Sequence, residues 1–151
     1  TNTKILNQLL DLSCIKKRPP KSMDIMDFGD NIIDDIIKRN PKTNNYDIVR
    51  TFVEFSIESI DYNISNFIKL NKYDFELVCS GGGIEHPLIK EGLIERGYKV
   101  RSISSYGVDS SIKESLLIAI LGACKVMNLN SNIPSLTGAN KNVVLGEIYN
   151  G

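Results

Sequence analysis

Residues 75 to 103 confine the possible folds more tightly than any other stretch of the chain. The apolar segment Phe75-Glu76-Leu77-Val78-Cys79 runs into Gly81-Gly82-Gly83. His86-Pro87 then opens a helical pattern of about 87 to 96, Gly97 closes it, and a second strand follows over about 98 to 103. Proline suits the first turn of a helix, whose N–H groups need no intrahelical partner, and glycine suits the exit. Strand, helix and strand in that order form a βαβ unit, so the spacing predicts parallel strands, a right-handed crossover and an α/β fold.

The three glycines also mark the place where a ligand could touch bare backbone. Glycine accepts positive φ and brings no Cβ, and a helix start just beyond it presents N–H groups suited to phosphate. A Rossmann fingerprint starting at Gly81 would need glycine or alanine at position 86, where His86 stands, and no Gly-Lys-Ser/Thr of a P-loop occurs. Two readings therefore stay open from the residues alone: a nucleotide-binding turn, or a tight strand-to-helix connection with no ligand.

The rest of the first half reads as helices. Ile5, Leu6, Leu9, Leu10 and Leu12 sit at helical spacing over 4 to 12, and a loop must follow through Pro19-Pro20. From Met23 to a stop at Asn40-Pro41, Ile25, Phe28, Ile32, Ile33, Ile36 and Ile37 form an apolar stripe, with Asp30, Asp34 and Asp35 on the wet face. A third and longest helix spans about 46 to 70; its β-branched and aromatic residues require tertiary packing to hold it. The helix of about 111 to 127 is apolar almost all round and is expected to be buried, and Val143 to Ile148 is expected to be a terminal strand.

At 151 residues the chain is the size of one domain and can bury a sizeable core. Lys plus Arg equals Asp plus Glu at 18 each, with only the short run Lys16-Lys17-Arg18, which argues against a nucleic-acid partner or an acidic membrane surface. No run approaches the roughly 18 apolar residues of a membrane span, and the start lacks signal-peptide order, so a cytoplasmic protein is expected. Cys14, Cys79 and Cys124 are an odd number, far apart and in no CxxC pair, which suggests neither a disulfide framework nor a zinc site.

Residues 133 to 148, Ile-Pro-Ser-Leu-Thr-Gly-Ala-Asn-Lys-Asn-Val-Val-Leu-Gly-Glu-Ile, resemble the closing signature of the anhydro-N-acetylmuramic acid kinases, Pro-Ser-Val-Thr-Gly-Ala followed by Val-Leu-Gly-x-Ile. Asp109, Lys113-Glu114-Ser115, the triple glycine and Pro19-Pro20-Lys21-Ser22 occur in the family's order. The resemblance covers nearly the whole chain but only the carboxyl-terminal part of the family. It implies one lobe of an actin-like, sugar-kinase ATPase fold, with a small βαβ sheet and long packed helices, residues 1–151 being a single domain. The first phosphate loop, of Gly-Thr-Ser-x-Asp-Gly type, and the aspartate that acts as general base match nothing here, so the amino-terminal lobe is missing from this sequence.

The resemblance further implies ATP with Mg2+, an amino sugar substrate, phosphorylation with opening of the 1,6-anhydro ring, and a possible homodimer of the full-length protein. It assigns Gly81, Gly82 and Gly83 to the nucleotide and Glu114 to the catalytic cleft, where the glutamate of the family's Lys/Arg-Glu-Ala motif contacts the sugar or positions the attacking water. Locally, Ser111-Ile112-Lys113-Glu114 also fits a capping box, and that reading stands beside the catalytic one. His86 replaces the family's asparagine and is read as a helix cap; Asp109 is read as a turn or cap residue. Lys21-Ser22-Met23-Asp24-Ile25-Met26 departs from the family's Lys-Ser-Thr-Gly-Arg-Glu, although Lys21, Ser22, Phe28 and Gly29 are retained. That departure keeps a second function open, a non-catalytic degenerate nucleotide-binding or interaction module.

Overall fold

The computed structural model describes residues 1–23, 25–28 and 30–149; Asp24 and Gly29, which belong to the departing segment and its Phe-Gly sequel, lie outside them. Helix α1 (Thr3–Leu10) starts where the Asn2 side chain accepts the Ile5 N–H at 3.2 Å, the usual device for an orphan first-turn donor. The Asn2 N–H in turn reaches the buried Thr51 hydroxyl at 2.8 Å, fastening α1 to α5 (Asn45–Phe67). Between them lie α2 (Ser13–Lys16), α3 (Ile25–Phe28) and α4 (Asp30–Arg39). Ile5, Leu9, Ile15, Ile36, Ile48 and Phe55 from these helices form one core.

Helix α5 ends three residues earlier than its apolar pattern, because Ile68 turns extended and Asn71 gathers the Tyr73 N–H on its side chain and the Asp74 N–H on its carbonyl. The chain then forms β1 (Glu76–Cys79), the glycine turn, α6 (Pro87–Glu95) and β2 (Lys99–Ser102). The strands are parallel, with Glu76 opposite Lys99 and Cys79 opposite Ser102, as the strand-helix-strand order predicts. Gly97 takes φ 88°; its N–H bonds to the Ile94 carbonyl and the Tyr98 N–H to that of Leu93, a Schellman exit in which Tyr98 and Leu93 bury together. With Ile57 they make a second core, between α5 and α6.

Two expectations for the carboxyl-terminal third are corrected. Helix α7 (Lys113–Val126) forms, but none of its residues is buried, and Leu117, Ile118 and Ile120 are each more than half exposed. Its apolar composition states a need for cover, and the described residues do not supply it. Val143 to Ile148 is irregular: the Val143 N–H goes to the Asn132 side chain at 2.7 Å and the Leu145 N–H to the Ser131 hydroxyl at 3.2 Å, so side chains take donors that a neighbouring strand would have taken. Short α8 (Pro134–Thr137) closes on Gly138 at φ 75°. No helix among the described residues is long and apolar enough to cross a membrane.

Candidate nucleotide and substrate site

The glycine turn lies at the carboxyl end of β1, the end of a parallel strand at which α/β sheets receive their ligands. Its three glycines differ. Gly81 has φ 85° and ψ 173°, a region essentially closed to side-chain-bearing residues, whereas Gly82 and Gly83 already lie in the 3-10 turn Gly82–Glu85 that leads into α6. A Cβ built on any of the three would meet nothing within 4 Å. Space around Gly82 and Gly83 is thus not filled by the protein itself, so their lack of a side chain answers no packing demand from the described residues. Only Gly81 needs glycine for its conformation.

His86 occupies the position before α6, with Pro87 first in the helix, but its side chain makes no capping bond; its carbonyl accepts from Ile89 and Lys90 at 3.1 and 3.3 Å. The expected cap is therefore one of backbone position alone. Helix α6 is held from its far end. Gly92 lies so close to α5 that a Cβ there would come within 2.5 Å of Ile57 Cδ1. One turn on, Arg96 pairs with both Glu54 and Glu58 of α5 and donates to the Gly92 carbonyl at 2.9 Å, while Arg50 pairs with Glu54 at 2.9 Å. Burial pushes the Glu54 carboxyl up, but the hydrogen bonds from Arg96 and Arg50 outweigh it and hold the group below its ordinary value. Tyr98 donates to Asp61 at 2.6 Å, and burial together with that bond pushes its phenol up.

Glu114 sits in the first turn of α7, 71 % exposed, and its carboxyl is held below the ordinary glutamate value by its own backbone N–H and by Lys113, whose Nζ is 3.2 Å away. The capping box does not form. Asp109 takes the Ser111 N–H at 2.8 Å and its hydroxyl at 2.7 Å, so the serine is spent on a turn two residues upstream; the reading of Asp109 as a turn or cap residue holds. Glu114 is left as an ionised, outward-facing carboxylate. Among the described residues, no hydrogen bond or ion pair joins it to the glycine turn.

Lys21 of the retained Lys-Ser pair donates to the Cys14 and Ile15 carbonyls at 3.2 and 2.7 Å and lies 5.3 Å over the Phe67 ring, a structural role that closes α2. Met23, in the departing segment, lines an apolar groove of about 400 Å³ with Phe28, Ile33, Phe55 and Ile60. The contribution of Gly92 and Arg96 was missed in the sequence. A glycine inside an otherwise regular helix was the available signal for Gly92; nothing local points to Arg96, whose partners lie 38 and 42 residues away.

The family model described as anhydro-N-acetylmuramic acid kinase matches residues 1–151. Among curated proteins, the chain is 35 % identical over 152 residues to the anhydro-N-acetylmuramic acid kinase of Clostridioides difficile strain 630, covering 97 % of this chain and 39 % of that protein. It is 34 % identical to the kinase of the same name from Francisella tularensis subsp. novicida, with 95 % and 38 % covered, and 32 % identical to that of Bacillus cereus strain AH187, with 95 % and 39 % covered. The chain thus spans about two fifths of the length of the curated relatives it matches.

Proposed function

The chain belongs to the anhydro-N-acetylmuramic acid kinase family, and from that membership we propose that residues 1–151 are a single domain, the carboxyl-terminal lobe of an actin-like, two-lobe sugar kinase. The complete protein transfers the γ-phosphoryl group of ATP to 1,6-anhydro-N-acetylmuramic acid. Water adds at the anomeric carbon, the bond from that carbon to the bridging oxygen breaks, and this oxygen takes the phosphoryl group, giving N-acetylmuramic acid 6-phosphate and ADP. The base that accepts the proton of the water belongs to the other lobe. Positioning and charge neutralisation from both walls of a cleft dominate phosphoryl transfer, so this lobe alone does not turn over.

Within the lobe, Gly81, Gly82 and Gly83 lie against the nucleotide, and Glu114, ionised and exposed, accepts hydrogen bonds from the sugar or the attacking water. What supports this reading is the glycine turn itself, open to solvent at the carboxyl end of a parallel strand with no side chain waiting to fill it. Among the described residues no group of three or more acidic, histidine or cysteine side chains converges; the Mg2+ expected with ATP is held chiefly through the phosphates and water. The unburied face of α7 is the natural seat for the remaining polypeptide. A cytoplasmic location accords with substrates of this kind.

The test is a coupled ADP-release assay on the complete protein with the anhydro sugar, beside its Gly82→Val variant. Because Gly82 lacks positive φ and has free space around it, valine leaves the fold intact, and the Michaelis constant for ATP rises by about ten-fold or more if the turn meets the nucleotide. Sugar-independent nucleotide binding without turnover would instead favour a binding module, and an unchanged ATP constant in the variant would remove the glycines from the site.

A further inference from the structure

We propose that Arg96, through the ion pairs of its Nη2 with both Glu54 and Glu58, is a positioning residue for nucleotide binding, setting the angle of α6 on α5 and with it the place of the glycine turn. The inference rests on the reading of that turn as the nucleotide site. The turn Gly82–Glu85 leads directly into α6 through His86, with Pro87 rigid at its first position, so the turn moves with the amino end of the helix. Helix α6 is seated on α5 by the apolar cluster of Leu93 and Ile57, tightest where Gly92 approaches Ile57, and by the ion pairs of Arg96 beyond it.

Apolar packing alone leaves a helix some freedom to tilt about its tightest contact. Pro87 is five residues from Gly92, about 7.5 Å at the usual rise, so a tilt of about 10° displaces the turn by about 1.3 Å. Misplacement of a positioning group by about 1 Å can cost a reaction about 100-fold. Arg96 opposes the tilt because its three partners lie on both helices: the carboxylates of Glu54 and Glu58, one turn apart on α5, and the carbonyl of Gly92 on α6. With Arg96 only 20 % and Glu54 18 % exposed, solvent screens these pairs less than it would a surface bridge. Arginine can grip two acceptors in a fixed plane, which a lysine does less firmly.

The experiment compares Arg96→Met, Arg96→Lys and Gly82→Val in the complete protein, measuring Michaelis constants for ATP and for the sugar separately, with the folded fraction taken from a thermal melt. Arg96→Met is expected to raise the ATP constant about ten-fold and leave the sugar constant unchanged, and Arg96→Lys to recover part of the loss. A lower rate at unchanged ATP constant, in proportion to lost folded protein, would reduce Arg96 to a stabilising residue and overturn the inference. If Arg96→Met does not fold, Glu58→Met removes the acceptor of one arm only; an ATP constant raised about three-fold supports the inference and an unchanged one overturns it. A rise in Gly82→Val without one at Arg96 overturns the positioning role alone, while no rise in Gly82→Val overturns the nucleotide reading beneath it.

Discussion

Adding one methyl group at Gly92 probes a close helix-helix approach, that of α6 to α5. The new Cβ would stand 2.5 Å from Ile57 Cδ1 and 3.3 Å from its Cγ1 and Cγ2, where ordinary carbon contacts are about 3.5 to 4.0 Å. Rotating the end of Ile57 can move Cδ1 but leaves the two branch carbons in place, and the β-branched side chain, fully buried in mid-helix, is stiff at χ1. Overpacking of this kind costs about 1 to 3 kcal/mol. Alanine returns about 1 kcal/mol of helix propensity over glycine. The expected net is a loss of about 0 to 2 kcal/mol in urea unfolding, each 1 kcal/mol lowering Tm by about 2 to 4 °C for a chain of this size. Ile57→Val removes the clashing Cδ1 and alone costs about 0.5 to 1.5 kcal/mol. Combined with Gly92→Ala it should cost less than the sum of the two, with a favourable coupling of about 1 kcal/mol. Should Gly92→Ala stabilise by about 1 kcal/mol and the pair prove additive, the two helices stand farther apart at Gly92 than a 2.5 Å Cβ contact requires.

Stability should also fall as pH drops through and below the ordinary glutamate range, near 4.5, because Glu54 titrates lower in the folded protein: the unfolded chain then binds more protons, the stabilisation is complete above that range, and it is lost as the folded group protonates. Urea titrations at stepped pH, repeated with Glu54→Gln, should show a shallower decline in the variant. For Glu114→Gln, exposed and outside any capping box with Ser111, stability should change by no more than about 0.5 kcal/mol, while turnover of the complete protein should drop by about ten-fold or more if the carboxylate serves the reaction; a thermal melt and an ADP-release assay on one preparation separate the two.

Where local rules decide, the sequence was readable. Pro87 and Gly97 bracket α6 within a residue, and the parallel pairing of β1 with β2 followed from the helix between them. The failures came from competition and from distance. Ser111 looks like a cap until Asp109, two residues upstream, takes both of its donors. The apolar composition of α7 says that it wants cover without saying which polypeptide gives it, and Val143 to Ile148 has strand-forming residues but, among the described residues, no neighbouring ladder. At the candidate site, the glycine turn was legible and the helix grip behind it was not, since Arg96 and Glu54 meet only after the chain has folded back on itself.

Helix α5 contributes Ile48 and Phe55 to one core and Ile57 to the other. The two clusters therefore cannot melt one at a time without breaking the same rod, and its central amides should exchange with deuterium only through whole-molecule opening. Those of α7, none of whose residues is buried among the described residues, should exchange through fraying. The slow-exchanging set thus maps onto a single 23-residue stretch, on which the seat of the glycine turn depends.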